Sequence, residues 1–211
     1  MKRLFTLAPF IFLAFMLIAG GALAQGNGRY TLTSSDPADG KYKARPGIFD
    51  PDHTGIVAAR WINQIGLQDD RGNGYFALYL QKSGPTATNA AAGANIDGVT
   101  GQPAIQFGFD YRADGQCTGG APRFNVEASD GFHFVGGCGN GTITPNVAPG
   151  WNRVTFDPHN PAQSFPVIAP GATLISVTLI LDEGTDSGPG YAYLDNINVD
   201  GQYITKPGAA K

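Results

Sequence analysis

Apolar and polar residues alternate in short runs along most of the chain. Ile105, Phe107, Phe109 and Tyr111 alternate with Gln106, Gly108, Asp110 and Arg112. That two-residue period marks a half-buried strand. Phe124 and Val126 alternate with Asn125 and Glu127, and Phe132 and Phe134 with His133. Further apolar runs occupy Ile56 to Ile62, Gly74 to Gln81, Trp151 to Phe156 and Tyr191 to Val199. Leu174 to Leu181 is apolar at nearly every position, as a central core strand is. Clusters of Gly, Asn, Asp and Pro separate the runs. The Ala-rich stretch Ala87 to Ala94 and the segment Ile62 to Gly66 are the places where a helical turn fits, although neither is well capped. Eight or nine short strands at close intervals predict an all-β fold, a two-sheet β-sandwich of jelly-roll type.

The parity of the closing run makes a sharper prediction. In YAYLDNINV, Ala192 and Leu194 share one parity, and Ile197 and Val199 take the other. All four can face the core only if the register slips by one residue at Asp195-Asn196, which predicts a β-bulge there. A bulge would expose or redirect Asp195.

The start of the chain has a different character. Lys2 and Arg3 precede an apolar run, which ends at the small-residue site Ala22-Leu23-Ala24 before Gln25. This order is that of an export signal over residues 1–24. The expected organisation continues with an irregular lead-in over 25–54 holding a first strand near Tyr30 to Thr33. A sandwich domain over 55–203 follows, then a frayed tail over 204–211. Localisation should be secreted, extracellular or periplasmic, with no membrane insertion after cleavage. The formal net charge of −3 becomes −5 without Lys2 and Arg3. No basic run offsets it, which argues against nucleic acid as a partner. Two cysteines, Cys117 and Cys138, lie beyond the cleavage site. With no C-x-x-C motif and no Cys/His cluster, they predict one structural disulfide. Counted by twos, Cys138 shares the parity of Phe132 and Phe134, which would place all three toward the core.

Candidate chemistry is sparse. The only glutamates are Glu127 and Glu183, and a glycosidase needs two carboxylates facing one cleft. Asp182, Glu183, Asp186 and Ser187 form one acidic Gly-rich loop, and Asp69, Asp70 and Asn73 another. Oxygen ligands in such loops suit calcium, while the same residues also build ordinary turns. His53, His133 and His159 are scattered, which does not suit zinc. Aromatic rings can cover the apolar face of a sugar while polar neighbours take its hydroxyls. Trp61, Tyr75, Tyr79, Tyr111, Trp151, Tyr191 and Tyr193 are the candidates. Tyr111 shares its face with core residues. Tyr191 and Tyr193 lie opposite Leu194 in parity and point outward, and Trp151 opens its strand at an edge. Trp151, Tyr191, Tyr193 and Glu127 are therefore the candidate ligand-binding residues.

The closing stretch from Leu174 to Gly201, TLISVTLILDEG followed by YAYLDNINVDG, resembles the last two strands of jelly-roll carbohydrate-binding modules with a galactose-binding-like fold. The resemblance implies that Asp195 helps to hold a structural calcium ion and that a polysaccharide or glycan is the partner. The middle, from Leu78 through Val126, is similar to uncharacterised secreted bacterial proteins. The leading functional reading is a secreted non-catalytic β-sandwich that binds glycan. A structural or surface-interaction protein without a small-molecule ligand is the alternative, and a glycoside hydrolase or lyase is the third.

Overall fold

The computed structural model of the chain describes residues 42–68, 75–84, 90–183 and 188–207, together with the backbone of residues 33–34 and 209–210. The strands are β1 (Thr33–Ser34), β2 (Lys43–Phe49), β3 (Val57–Ile62), β4 (Ala77–Lys82), β5 (Ala91–Asp97), β6 (Phe107–Arg112), β7 (Arg123–Ala128) and β8 (Gly131–Gly136). They continue as β9 (Thr142–Ala148), β10 (Trp151–Phe156), β11 (Ser164–Phe165), β12 (Leu174–Leu181), β13 (Gly190–Val199), β14 (Gln202–Lys206) and β15 (Ala209–Ala210). A single 3₁₀ turn at Cys138–Asn140 is the only helical element among the described residues. The export signal over 1–24, Tyr30 to Leu32, and Asp69, Asp70, Asn73, Asp186 and Ser187 lie outside the described residues.

Two antiparallel sheets form the sandwich. The first has seven strands in the order β1-β2-β5-β12-β7-β8-β11, and the second has eight. The second runs β3-β4-β13-β6-β10-β9, with β14 and β15 continuing beside the far half of β13. Between the sheets lies one core in which Phe107, Phe109, Phe124 and Phe156 pack with ring centroids 5.3–6.2 Å apart. Leu78, Leu80, Leu179 and Leu194 are fully buried there. Each such side chain contributes about 1.5–3 kcal/mol by leaving water. As expected for the most apolar segment, β12 is central, held between β5 and β7.

The predicted bulge is present. Asp195 pairs with Asp110 and Asn198 with Gly108, so three steps on β13 match two on β6. Asn196 takes a left-handed backbone, φ 46°, which Asn tolerates better than most residues. Ala192, Leu194, Ile197 and Val199 are all buried as a result.

The disulfide joins Cys117 to Cys138 with the Cα atoms 4.8 Å apart, tying the turn before β7 to the 3₁₀ turn after β8. Gly137 permits this approach, because a Cβ there would lie 2.4 Å from the Gly119 carbonyl oxygen.

Several expectations are corrected. His133 and Val135 face the core, paired with Val126 and Phe124, and Phe132 and Phe134 lie on the outer face. The polar ring of His133 is accommodated by the Pro166 carbonyl at 2.9 Å and the Asp130 carboxylate at 3.1 Å. The Ala-rich segment from residue 91 is strand β5, not helix. Its small residues Ala91, Ala92, Gly93 and Ala94 are buried between β2 and β12. Ile62 to Gly66 leaves β3 through a turn. Lys43–Phe49, assigned to the irregular lead-in, is strand β2. Its Pro46 lies beyond the two residues that pair with β1, where no ladder bond to that side is needed. Gln202–Lys206 is β14, so ordered structure extends into the expected tail.

Candidate functional site

The outer face of the eight-stranded sheet carries an unbroken row of long polar and aromatic side chains. Strand register builds it. Arg60 on β3 pairs with Tyr79 on β4, and Tyr79 pairs with Tyr193 on β13. Arg112 on β6 lies against Tyr193 and pairs with Trp151 on β10. Five neighbouring strands, spaced about 4.8 Å apart, make a row about 19 Å long.

The rings and guanidinium groups stand against one another. The Arg60 guanidinium carbon is 4.7 Å from the Tyr79 ring centre, and that of Arg112 is 3.8 Å from the Tyr193 ring centre. Tyr79 and Tyr193 have centroids 4.9 Å apart, tilted by 42°. Because β3 and β13 flank β4, Arg60 and Tyr193 cover opposite sides of Tyr79. Tyr79 and Arg112 do the same for Tyr193. What the row offers a ligand is therefore phenol hydroxyls and guanidinium N–H groups more than open ring faces. Burial, followed by the neighbouring Tyr193, holds the Tyr79 phenol above its ordinary range, so it remains a proton donor. Tyr191 is the exposed ring, 36% accessible, edge-on to Tyr193 at 5.8 Å.

Beside this row, one pleat further along the strands, lies a charged one. Arg153 on β10 pairs in register with Asp110 on β6. Its fork donates to both carboxylate oxygens, Nε to Oδ1 at 2.6 Å and Nη2 to Oδ2 at 2.8 Å. The bulge residue Asn196 donates to Asp110 Oδ2 at 2.6 Å. Asp110 is fully buried despite its place on the outer face. Its hydrogen bond holds the Arg153 guanidinium above its usual range. Leu67, Gln68, Val147, Ala148 and Tyr203 complete an open depression of about 530 Å³ over this pair. Arg112 is similarly tied to Asp114, at 2.6 and 3.0 Å. That bond keeps the Asp114 carboxyl below the ordinary range.

The bulge does redirect Asp195, but inward: it is 1% exposed. Its carboxylate accepts the backbone N–H of Leu67 at 2.7 Å and of Asn196 at 2.6 Å. It thereby pins the turn after β3, where a Cβ on Gly66 would lie 1.9 Å from the Phe76 carbonyl oxygen. Two N–H donors face the Asp195 oxygens, and no group of three His, Cys, Asp or Glu residues that could hold a metal occurs among the described residues. Of the acidic loop residues, Asp182 pairs with Arg123 and Glu183 with the buried Lys82.

The other candidates divide between faces. Tyr191 and Tyr193 lie on the row. Trp151 ends it and is 5% exposed, so its ring is not open to solvent. Glu127 sits on β7 in the opposite sheet, paired with Phe132 and Ser176, and does not join them. Leu181, the last residue of β12 before Glu183, lies five residues beyond Ser176, about 16 Å along the strand at about 3.3 Å per residue. That separation exceeds the roughly 5–9.5 Å that paired catalytic carboxylates require. Sequence reasoning did not single out Arg60, Asp110, Arg112, Arg153, Asn196 or Tyr203. For Asp110, Arg112 and Arg153 the signal was present as the outward parity of β6 and β10, but partnership across strands needs the register.

Among solved structures, the chain is similar to the family 11 carbohydrate-binding module of the cellulosomal cellulase Lic26A-Cel5E of Clostridium thermocellum. The match has 11% sequence identity and a TM-score of 0.42, and covers 80% of this chain and 94% of that one. No family model matches the sequence, and no curated protein does. Among the described residues, no helix is long and apolar enough to cross a membrane.

Proposed function

We propose that this protein is a secreted, non-catalytic module that binds a glycan on the outer face of its eight-stranded sheet. The observation that carries this reading is the row Arg60–Tyr79–Tyr193–Arg112 lying beside the Asp110–Arg153 depression. A saccharide presents many hydroxyls around a modest apolar surface. The row meets it with rigid hydroxyl and N–H edges, and Tyr191 adds one accessible ring. These groups are held by stacking and bidentate ion pairs, so little side-chain entropy remains to be lost on binding. The wide separation of Glu127 and Glu183 argues against that pair as a glycosidase's acid and nucleophile. The disulfide fits the oxidising compartment that export would reach.

The test is affinity electrophoresis of the mature chain against plant, bacterial and host polysaccharides. Retardation by at least one glycan, weakened in Tyr191→Ala and Tyr193→Ala variants that still fold, is expected. Silence across the panel would instead favour a surface-interaction protein without a small-molecule ligand. One observation supports that second reading: Phe165 is 75% exposed beside Phe134 on the opposite sheet, and Phe132 packs edge-on to Phe134.

A further inference from the structure

Resting on the glycan reading, we infer that the ligand is an acidic polysaccharide, one whose sugars carry carboxylates, and that Arg60 selects it. Among the described residues, three guanidinium groups stand on the binding face, and they are not equivalent. Arg112 is neutralised by Asp114, and Arg153 by Asp110, each through two hydrogen bonds. Arg60 is exposed, lies over the Tyr79 ring, and has no carboxylate partner among the described residues.

The consequences follow from guanidinium chemistry. A planar fork with parallel N–H donors matches a carboxylate in two places at once, where a sugar hydroxyl matches it in one. Contact with the Tyr79 ring, 4.7 Å from the guanidinium carbon to the ring centre, restrains the Arg60 side chain before the ligand arrives. The phenol of Tyr79, kept protonated, is a further donor beside it. Donors with no carboxylate partner among the described residues define a place for one. The carboxylates described on the same face do not oppose this. Asp110 and Asp114 are spent on their arginines, and Asp195 is buried against backbone N–H groups. The formal charge, −3 for the whole chain and −5 without Lys2 and Arg3, is spread along the sequence. At physiological salt, exposed charges beyond about 8 Å are largely screened, so the nearby Arg60 guanidinium governs contact with a sugar acid more than the overall charge does.

The experiment compares one polymer in two charge states. Polygalacturonate and its fully methyl-esterified form share a backbone and differ in ionised carboxylates, and alginate serves as a second uronate. Binding is measured by calorimetry in calcium-free buffer for the wild type, Arg60→Gln and Arg60→Lys. The wild type should bind at least one uronate polymer about tenfold or more tighter than the esterified polymer, the size of one charge-assisted hydrogen bond. That affinity should fall as salt rises. Arg60→Gln should erase the preference while melting as the wild type does, and Arg60→Lys should keep part of it. Equal affinity for charged and esterified polymer, or binding confined to neutral glycans, would overturn the acidic-ligand inference and leave the glycan reading standing. Binding to no polysaccharide at all would overturn both.

Discussion

Asp110→Asn removes one charge and almost no volume from the centre of the site. Asp110 is fully buried and accepts three hydrogen bonds, two from Arg153 and one from Asn196. An amide can accept at one position only, and its own N–H₂ would face N–H donors. At least one charge-assisted bond is therefore lost, worth about 1.5–3 kcal/mol. Two effects reduce the cost. The Arg153 side chain is 36% exposed and can recover water, and the variant no longer has to desolvate a carboxylate. A net loss of about 2 kcal/mol follows, which for a domain of this size lowers Tm by about 4–8 °C. Near-UV circular dichroism during melting at pH 7 reads this directly. A double-mutant cycle with Arg153→Met should give a coupling of about 1 kcal/mol or more, because the residues are in contact. If Asp110→Asn melts within about 1 °C of the wild type, the pair does not organise this face, and the argument for a pre-formed site fails.

Further outcomes follow from the same geometry. Intact-mass labelling without reductant should find no free thiol, and Cys117→Ser with Cys138→Ser should cost roughly 3 kcal/mol in the chain-entropy picture; two alkylated cysteines in the native protein would contradict the bridge. The Asp195 carboxylate already accepts two backbone N–H groups, so EDTA should leave melting unchanged. A fall in Tm with EDTA that Asp195→Ala abolishes would establish the calcium site. Export of the full-length chain should leave a mature protein beginning at Gln25, read by N-terminal sequencing; retention of residues 1–24 would refute the signal.

The fold was legible where burial writes a pattern. β6 and β7 alternate cleanly, β12 is apolar throughout, and the parity break in β13 located the bulge to the residue. The strands that escaped notice lack such a pattern. β2 contains Pro46 and Gly47, β5 opens with Ala91, Ala92, Gly93 and Ala94, and six of the seven residues in β9 are exposed. Their strand character comes from neighbours in the sheet, not from their own composition. The two phenylalanines of β8 misled for a related reason. Parity shows that Phe132 and Phe134 share a face, but not which face, and His133 takes the core because Asp130 and Pro166 satisfy its ring nitrogens. The site was half legible. Tyr191 and Tyr193 follow from parity within one strand. Arg60, Asp110, Arg112 and Arg153 acquire meaning only when five strands, distant in sequence, are placed side by side.

Backbone amide shift mapping during titration with a uronate oligosaccharide tests the central claim most directly. Shifts should concentrate on β3, β4, β13, β6 and β10, around Arg60, Tyr79, Tyr191, Tyr193 and Arg153. Shifts gathered instead on β7, β8 and β11, or no shifts with any saccharide, would contradict it.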